Sequence, residues 1–294
     1  VVGFRKNQPP FPEAIEEIPR FIKKIRKHRS LRGRLLKFLW DFVEYNPVAI
    51  SKSFRPKKSS GRLGRGISIM GPEKNLIVKR GAVVYDYSVI DVRNGPVIID
   101  EEAEIRPFSF IEGPCYIGKR TIVDGAKVRG GCSFGPECRI GGEIEATIFQ
   151  GYSNKHHEGF LGHSFIGEWV NLGAGTTNSD LKNNYSEIRV IVNRRAVNTG
   201  LIKVGCFIGD HTKTGIGTLI PTGGVMGIFV NFYGGGMAPS CVPSFKWGTS
   251  SRLVEYRIDE AIKTARTVMK RRGVVLSKKT EKFIRKLYGR IDRY

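Results

Sequence analysis

Histidines are the residues of this chain whose ordinary pKa suits proton transfer near neutral pH. Four of the five lie beyond residue 150, at His156, His157, His163 and His211. A neutral imidazole can accept a proton, and it can also bind a metal ion. Neither a His-x-His nor a His-Glu-x-x-His spacing occurs, so His156, His163 and His211 are not expected to form a metal site.

The cysteines argue against a zinc or redox site. Their number is odd and no Cys-x-x-Cys pair occurs. We expect free thiols in a reducing cytoplasm, with Cys132 and Cys138 as small core residues. The full set is Cys115, Cys132, Cys138, Cys206 and Cys241.

The chain has 294 residues and a formal charge of +22, which suggests an anionic partner. Residues 1–66 account for +12 and residues 251–294 for +9, which leaves +1 for residues 67–250. The basic ends lack interleaved aromatic residues and match no known nucleic-acid motif, so nucleic acid is not the expected partner. Solvated helix faces explain the charge, and a basic patch for another anionic partner is the alternative.

The sequence also bears on membrane spans, targeting segments and the division of the chain into parts. No run of about 18 apolar residues exists, so no membrane span is expected. The first residues lack a signal peptide, and the absence of Met at position 1 favours a piece of a longer protein. We predict three parts, which are a helical segment with a basic linker at 1–66, a central domain at 67–250, and a helical hairpin at 251–294.

Both flanks show helical spacing. Apolar residues recur every three to four positions over 13–45, Pro47 is predicted to end the second helix, and 51–66 is predicted as a linker. In the last part, Gly273 is placed at the C′ position of one helix and Ser277 at the N-cap of the next. The apolar faces of these two helices are predicted to contain Ile258, Ile262, Ala265 and Met269, and then Phe283, Ile284 and Leu287.

The central part has a period of six residues, which fits neither an ordinary strand nor an amphipathic helix. Such a hexapeptide repeat is typical of a parallel β-helix, in which the aliphatic residue points inward and a small residue relieves crowding at the corner. The repeat positions are Ile99, Ile105, Ile111, Ile117 and Val123, then Val128, Phe134 and Ile140, and later Ile202, Ile208, Thr214, Ile220, Met226 and Phe232.

Residues 141–190 interrupt this period and are rich in polar side chains. Three stretches are long and distinctive, namely GYSNKHHEGFLGHSFIGEWVNLGAGTTNSDLKNNY, GDHTKTGIGT and PSFKWG. They resemble the acetyltransferase region of the bifunctional UDP-N-acetylglucosamine pyrophosphorylase/glucosamine-1-phosphate N-acetyltransferase family, and more narrowly its sugar-nucleotidyltransferase branch. The resemblance runs from about residue 38, at LWDFVEYN, to the end of the chain.

The resemblance implies a left-handed parallel β-helix that forms homotrimers, with acetyl-CoA-dependent sites between neighbouring prisms and no required metal. Members of the family also have an N-terminal nucleotidyltransferase head with a Gly-rich L-x-x-G-x-G-T-R-type loop. That loop does not occur here. Residues 1–50 resemble the last piece of such a head, so nucleotide transfer by this chain is not expected.

The resemblance also assigns roles to residues. His157 corresponds to the catalytic base, with His156 as its rival, and Phe160 stands where the family has a substrate-binding Tyr. Asn171 matches a sugar-binding Asn and Ala174 a position that contacts CoA. The backbone N–H groups of Gly173 and Ala174 could hold the thioester oxygen.

The rest of the expected site departs from the family. Its basic residues are missing, and Lys155 and Lys182 are the nearby cations that could hold a phosphate. The family's Asn-Tyr pair is displaced, which leaves several candidates for substrate binding, namely Asn178, Asp180, Asn183, Asn184 and Tyr185.

Three functions follow as hypotheses. The first is N-acetylation of a hexosamine 1-phosphate by acetyl-CoA in a cytoplasmic homotrimer of nucleotide-sugar biosynthesis. The second is the trimerising, non-catalytic or regulatory half of a sugar-1-phosphate nucleotidyltransferase whose head is missing from this chain. The third and weakest is a basic nucleic-acid-binding protein.

Overall fold

The structure is a computed structural model that describes residues 33 and 35–290. The described elements belong to one compact unit that starts at Lys37. The helix predicted from residue 13 onward lies outside the described residues up to position 32. No helix of the described part is long and apolar enough to cross a membrane.

Short parallel strands dominate the chain and form three long faces. Sheet 1 has eleven strands, which are β1 (Arg62–Leu63), β4 (Val83–Val84), β7 (Glu104–Ile105), β10 (Ile122–Val123), β13 (Arg139–Ile140), β16 (Asn154–Lys155), β19 (Asn171–Leu172), β24 (Lys213–Thr214), β27 (Asn231–Phe232), β30 (Lys246–Gly248) and the antiparallel β31 (Leu253–Glu255).

The second face contains two sheets. Sheet 2 has six strands, which are β2 (Ser68–Met70), β5 (Val89–Asp91), β8 (Phe110–Glu112), β11 (Lys127–Val128), β14 (Glu143–Glu145) and β17 (Phe160–Gly162). A three-stranded sheet follows it, with β20 (Thr177–Asn178), β25 (Thr218–Ile220) and β28 (Gly236–Met237).

The third face is sheet 3, whose first strand follows a 3₁₀ turn at Glu73–Asn75. Its nine strands are β3 (Leu76–Val78), β6 (Val97–Ile99), β9 (Cys115–Ile117), β12 (Cys132–Phe134), β15 (Ile148–Gly151), β18 (Phe165–Glu168), β23 (Phe207–Ile208), β26 (Val225–Met226) and β29 (Cys241–Val242).

Consecutive strands visit the three faces in turn, and the strands of these faces, apart from β31, pair in parallel with strands of neighbouring coils. The predicted left-handed parallel β-helix of hexapeptide repeats, with its helical flanks, is therefore confirmed. Repeat residues such as Ile99, Ile117 and Phe134 are fully buried inside the coils. Ile202 is the exception at 51% exposed, because it lies in an excursion between β20 and β23. Its assignment to the repeat was wrong.

That excursion, residues 179–206, is called the arm here. It contains an antiparallel hairpin of β21 (Arg189–Val192) and β22 (Arg195–Asn198). Residues 143–178 continue the coils through β14 to β20, so the interruption is shorter than the predicted 141–190. Polar side chains at the corners make the hexapeptide repeat hard to recognise in the sequence of residues 143–178.

Helix α1 spans Leu39–Ser53 and passes through Pro47, which was predicted to end it. Proline removes one helix hydrogen bond, but contacts on both sides of it hold this helix in place. Trp40, Val43 and Ile50 are buried. The Asn46 side chain donates to the Gly131 carbonyl oxygen at 2.7 Å and accepts from the Ser133 hydroxyl at 2.9 Å.

The C-terminal hairpin consists of α2 (Ile258–Lys270) and α3 (Lys278–Tyr288). Ser277 caps α3 as predicted, since its hydroxyl accepts from the Thr280 N–H at 3.0 Å. Gly273 has a φ of 69° but lies one residue beyond C′, because the C-cap is Arg271. Phe283 is exposed, so only part of the predicted face of α3 is packed. The buried side packs with Trp169, Phe229 and Phe245 of the coils.

Candidate functional site

Three lines of turns join the faces, and each is named by the order in which the chain reaches it. Corner 1 leads from sheet 1 to sheet 2, corner 2 from sheet 2 to sheet 3, and corner 3 back to sheet 1. The predicted site residues fall mainly on corners 1 and 2, at the two ends of β17.

Corner 1 contains the predicted base. His157 is exposed, and no hydrogen bond to its ring occurs within residues 35–290. The rings of His156 and His157 are 5.3 Å apart. His156 differs because its Nε2 lies 3.0 Å from Asp124 Oδ2, a carboxylate that also accepts from Arg106.

Lys155 lies beneath these histidines with its side chain inside the β-helix. It occupies the interior register position of Ile140 in the coil below. Its ammonium donates to the carbonyl oxygens of His157 and, at 3.4 Å, of Gly141. Burial lowers the pKa of Lys155 to about 8. The ammonium therefore braces the backbone of corner 1.

The Gly173–Ala174 turn lies directly above His157 on the same corner, since the Gly175 N–H donates to the Glu158 carbonyl oxygen at 2.9 Å. The Gly173 N–H is already used by Thr214, at 3.1 Å from both its carbonyl and its hydroxyl oxygen. The Ala174 N–H has no acceptor in the described part of the chain. Only Ala174 therefore offers a free donor to a ligand.

Asn171 lies on the outer side of sheet 1. It is exposed, and its Oδ1 accepts from the Asn154 amide at 3.1 Å. Asn183 lies on the arm and is also exposed, while the Lys182 ammonium is held by the Glu187 carbonyl oxygen at 2.6 Å. Asn171 is thus two residues before Gly173 of corner 1, whereas Lys182 and Asn183 lie on a different element, the arm.

Corner 2 brings together Phe160, Asp180 and His163. A Cβ at Gly162 would lie 2.5 Å from both Phe160 Cζ and Asp180 Oδ2, so the ring and the carboxylate flank the same backbone position. The Asp180 Oδ2 lies 2.8 Å from His163 Nδ1. The spacing of 17 residues between neighbouring coils in this region, as between Asn154 and Asn171, could have revealed this pair, because Asp180 follows His163 by the same number.

Asn178 is buried and joins this corner from inside. Its Oδ1 accepts from the Gly162 N–H at 2.8 Å, and its Nδ2 donates to the Gly162 carbonyl oxygen at 3.0 Å. Both ends of its amide are thus used to hold β17 at the point where the arm begins.

The remaining histidine of the described residues, His211, lies on corner 3, so His156, His163 and His211 occupy three different corners. No group of three His, Cys, Asp or Glu residues that could hold a metal occurs in the described residues.

Comparison with known proteins adds a second line of evidence. A bifunctional sugar-1-phosphate nucleotidylyltransferase/acetyltransferase of Sulfurisphaera tokodaii is 37% identical over 154 residues, which cover 48% of this chain and 36% of that protein. Bifunctional proteins GlmU of Jannaschia sp. and Anaplasma marginale are 28% and 29% identical and cover 44% and 59% of this chain. The chain is a relative of these bifunctional enzymes. The resemblance found in the sequence is thus confirmed.

The chain spans only 29–42% of the length of those three proteins. No family model matches it. Solved structures align at low scores, among them the polysialic-acid-specific acetyltransferase NeuO, with a TM-score of 0.34 and 13% identity over 67% of this chain and 84% of that one. A UDP-N-acetylglucosamine acyltransferase of Arabidopsis aligns with a TM-score of 0.28 and 13% identity over 71% and 74%.

Proposed function

We propose that this chain is an acyltransferase that moves the acetyl group of acetyl-CoA to the amine of a hexosamine 1-phosphate. The observation that supports this most is on corner 1. An exposed histidine, His157, and an unpaired backbone donor, the Ala174 N–H, lie on adjacent coils of one corner. A general base and a donor for the oxyanion are two groups that promote aminolysis of a thioester.

The proposed chemistry follows from these groups. The amine attacks the thioester carbon, the carbonyl oxygen gains negative charge, and the Ala174 N–H stabilises it. His157 accepts a proton from the attacking nitrogen. The C–S bond then breaks, the amide forms, and the sulfur leaves as CoA thiol after protonation. Lys155 holds the His157 carbonyl and so positions the base.

We also propose that the complete site forms between copies of the chain in a trimer. Asn171 lies on sheet 1, whereas Phe160, Asp180 and Asn183 lie on the far side of corner 1 or on the arm. A neighbouring copy could supply the second group. The free state of all five described cysteines fits the cytoplasm that we propose as its location.

The test is release of CoA thiol from acetyl-CoA in the presence of glucosamine 1-phosphate. We expect wild-type protein to release thiol, and His157→Ala to lower kcat by about 10²–10⁴-fold. His156→Ala is the matched control and should retain more activity, because His156 is engaged with Asp124. An inactive wild type contradicts the function, and a fully active His157→Ala variant with an inactive His156→Ala variant moves the base to His156.

A further inference from the structure

On corner 2, the carboxylate of Asp180 holds the imidazole of His163. The side chains of His163 and Asp180 are only 12% and 13% exposed. The Nδ1···Oδ2 distance of 2.8 Å is that of a charge-assisted hydrogen bond. Burial is the largest single influence on the pKa of Asp180 and would raise it, but the hydrogen bond from His163 and the charges of His163 and Lys203 together outweigh burial, and the pKa is lowered. The carboxylate is therefore ionised and fixes the imidazole.

The second ring nitrogen of His163 remains available. Its Nε2 has no hydrogen-bond partner within residues 33 and 35–290, yet it is not among their buried unsatisfied side-chain atoms, where only His211 Nδ1 occurs. Nε2 therefore reaches solvent. An imidazole with one nitrogen on a carboxylate and the other open is the arrangement that orients a base for proton transfer.

The surroundings of the pair point to a ligand-binding place. Phe160 flanks the same Gly162 position as Asp180. The positive charge of Lys203, on the arm, helps to lower the pKa of Asp180. Its ammonium lies 3.6 Å from a carboxylate oxygen of Glu145, and the backbone carbonyl of Glu145 accepts the backbone N–H of His163. Glu145, Asp180 and Lys203 are thus charged groups close to the His163–Asp180 pair.

The proton stoichiometry of the acyl transfer is compatible with a second proton acceptor. A sugar amine at neutral pH is mainly an ammonium with three protons on nitrogen, whereas the amide product keeps one. Two protons must leave, of which one ends on the CoA sulfur and the other in solvent. A single base near the thioester accounts for only one of these transfers.

We propose that His163, oriented by Asp180, is a second proton-accepting residue of the acyl transfer. Its Nε2 takes one proton from the acceptor's ammonium group, which frees the nitrogen lone pair for attack, and passes that proton to solvent. Asp180 is a positioning residue. This inference rests on the proposed function and adds a base that the family resemblance does not assign.

The decisive variant is His163→Asn. Asparagine places an N–H near the position of Nδ1, so the bond to Asp180 is kept, and it tolerates the φ of 48° at this residue. It has no titratable nitrogen. We expect unchanged thermal unfolding and a kcat/KM for glucosamine 1-phosphate that falls by about 10²-fold or more, with loss of one limb of the pH profile. Asp180→Asn should lower kcat by a smaller factor, because the ring loses its fixed orientation.

The outcomes separate the two proposals. A wild type that releases no CoA thiol removes the proposed function and this inference with it. An active wild type with an equally active His163→Asn variant at every pH removes only the inference. If the variant unfolds, chemical modification of the wild-type histidines with diethyl pyrocarbonate tests the inference instead. We expect carbethoxylation of His163 at Nε2, loss of activity with it, and protection by glucosamine 1-phosphate. Modification of His163 that leaves activity unchanged, or that glucosamine 1-phosphate does not prevent, overturns the proposal.

Discussion

At the scale of single residues, His211 shows how the β-helix uses a histidine without chemistry. It stacks between Trp169 and Phe229 on corner 3, with ring centroids 6.2 Å and 4.6 Å away. Its Nδ1 is buried and has no hydrogen-bond partner among the described residues. Burial, helped by nearby Lys213, lowers the pKa of His211 to about 3. The ring is therefore neutral and behaves as one more aromatic in a stack.

We predict that His211→Phe stabilises the protein most in mild acid. The folded pKa of about 3 lies below the usual 6.5, so the unfolded chain binds the extra proton. The contribution of neutral His211 is complete above pH 6.5 and is lost as pH falls toward 3, at about 1.4 kcal/mol per unit. Urea unfolding at pH 7.5 and 5 should show a smaller loss in the variant than in wild type. Equal losses would show that His211 titrates normally.

Residue types located the candidate site only in part. The sequence pointed to His157 and Ala174, which lie together on corner 1. It assigned Lys155 to a phosphate, whereas the structure holds that ammonium against backbone carbonyls inside the coil. The pairing of His163 with Asp180 was missed because it depends on which corners stack, and that register is fixed only when the coil length is known.

At the scale of the coil, the small residues after the aliphatic ones have a steric cause. A Cβ at Gly135 would lie 1.9 Å from the Gln150 carbonyl oxygen of the next coil. Gly125 instead has a φ of 58° and open space around it. The sequence predicted crowding at the corners correctly, but it could not tell which glycines serve contact and which serve backbone conformation.

We predict that Gly135→Ala destabilises the protein more than Gly125→Ala. The first change forces two coils apart, which costs about 3 kcal/mol in a packed interior. The second leaves packing intact and costs about 1 kcal/mol for a left-handed alanine. Urea midpoints of the two variants check this order. A reversed order would mean that backbone conformation, and not coil contact, selects glycine at these corners.

Element existence was more predictable than element boundaries. The period of six fixed the β-helix because every buried repeat position must recur once per face. Pro47 was misplaced as a helix end because burial of Trp40 and the Asn46 hydrogen bonds are long-range contacts that local spacing does not show. The same limit explains the exposed Ile202.

At the scale of the whole molecule, the charge is concentrated on the flanks. On α3, Arg285 pairs with Glu281 and Asp259, whereas Lys278, Lys279 and Lys282 have no ion pair within the described residues. These lysines are exposed to water, so the surplus charge is compatible with a solvated helix face that binds no partner. The proposed assembly must bring copies together despite this charge, and its contact is expected on an apolar face.

Such a face lies on the three-stranded sheet. Leu219 and Met237 face each other in register and are 41% and 58% exposed. We predict that Leu219→Lys with Met237→Lys converts the proposed trimer into monomers, because six new like charges would meet where apolar side chains lay. Val275→Lys, at a residue 87% exposed on the hairpin, is the control and should leave the trimer intact. Sedimentation equilibrium measures both. If the site is built between copies, monomers should also stop releasing CoA thiol, and active monomers would show that one copy contains the whole site.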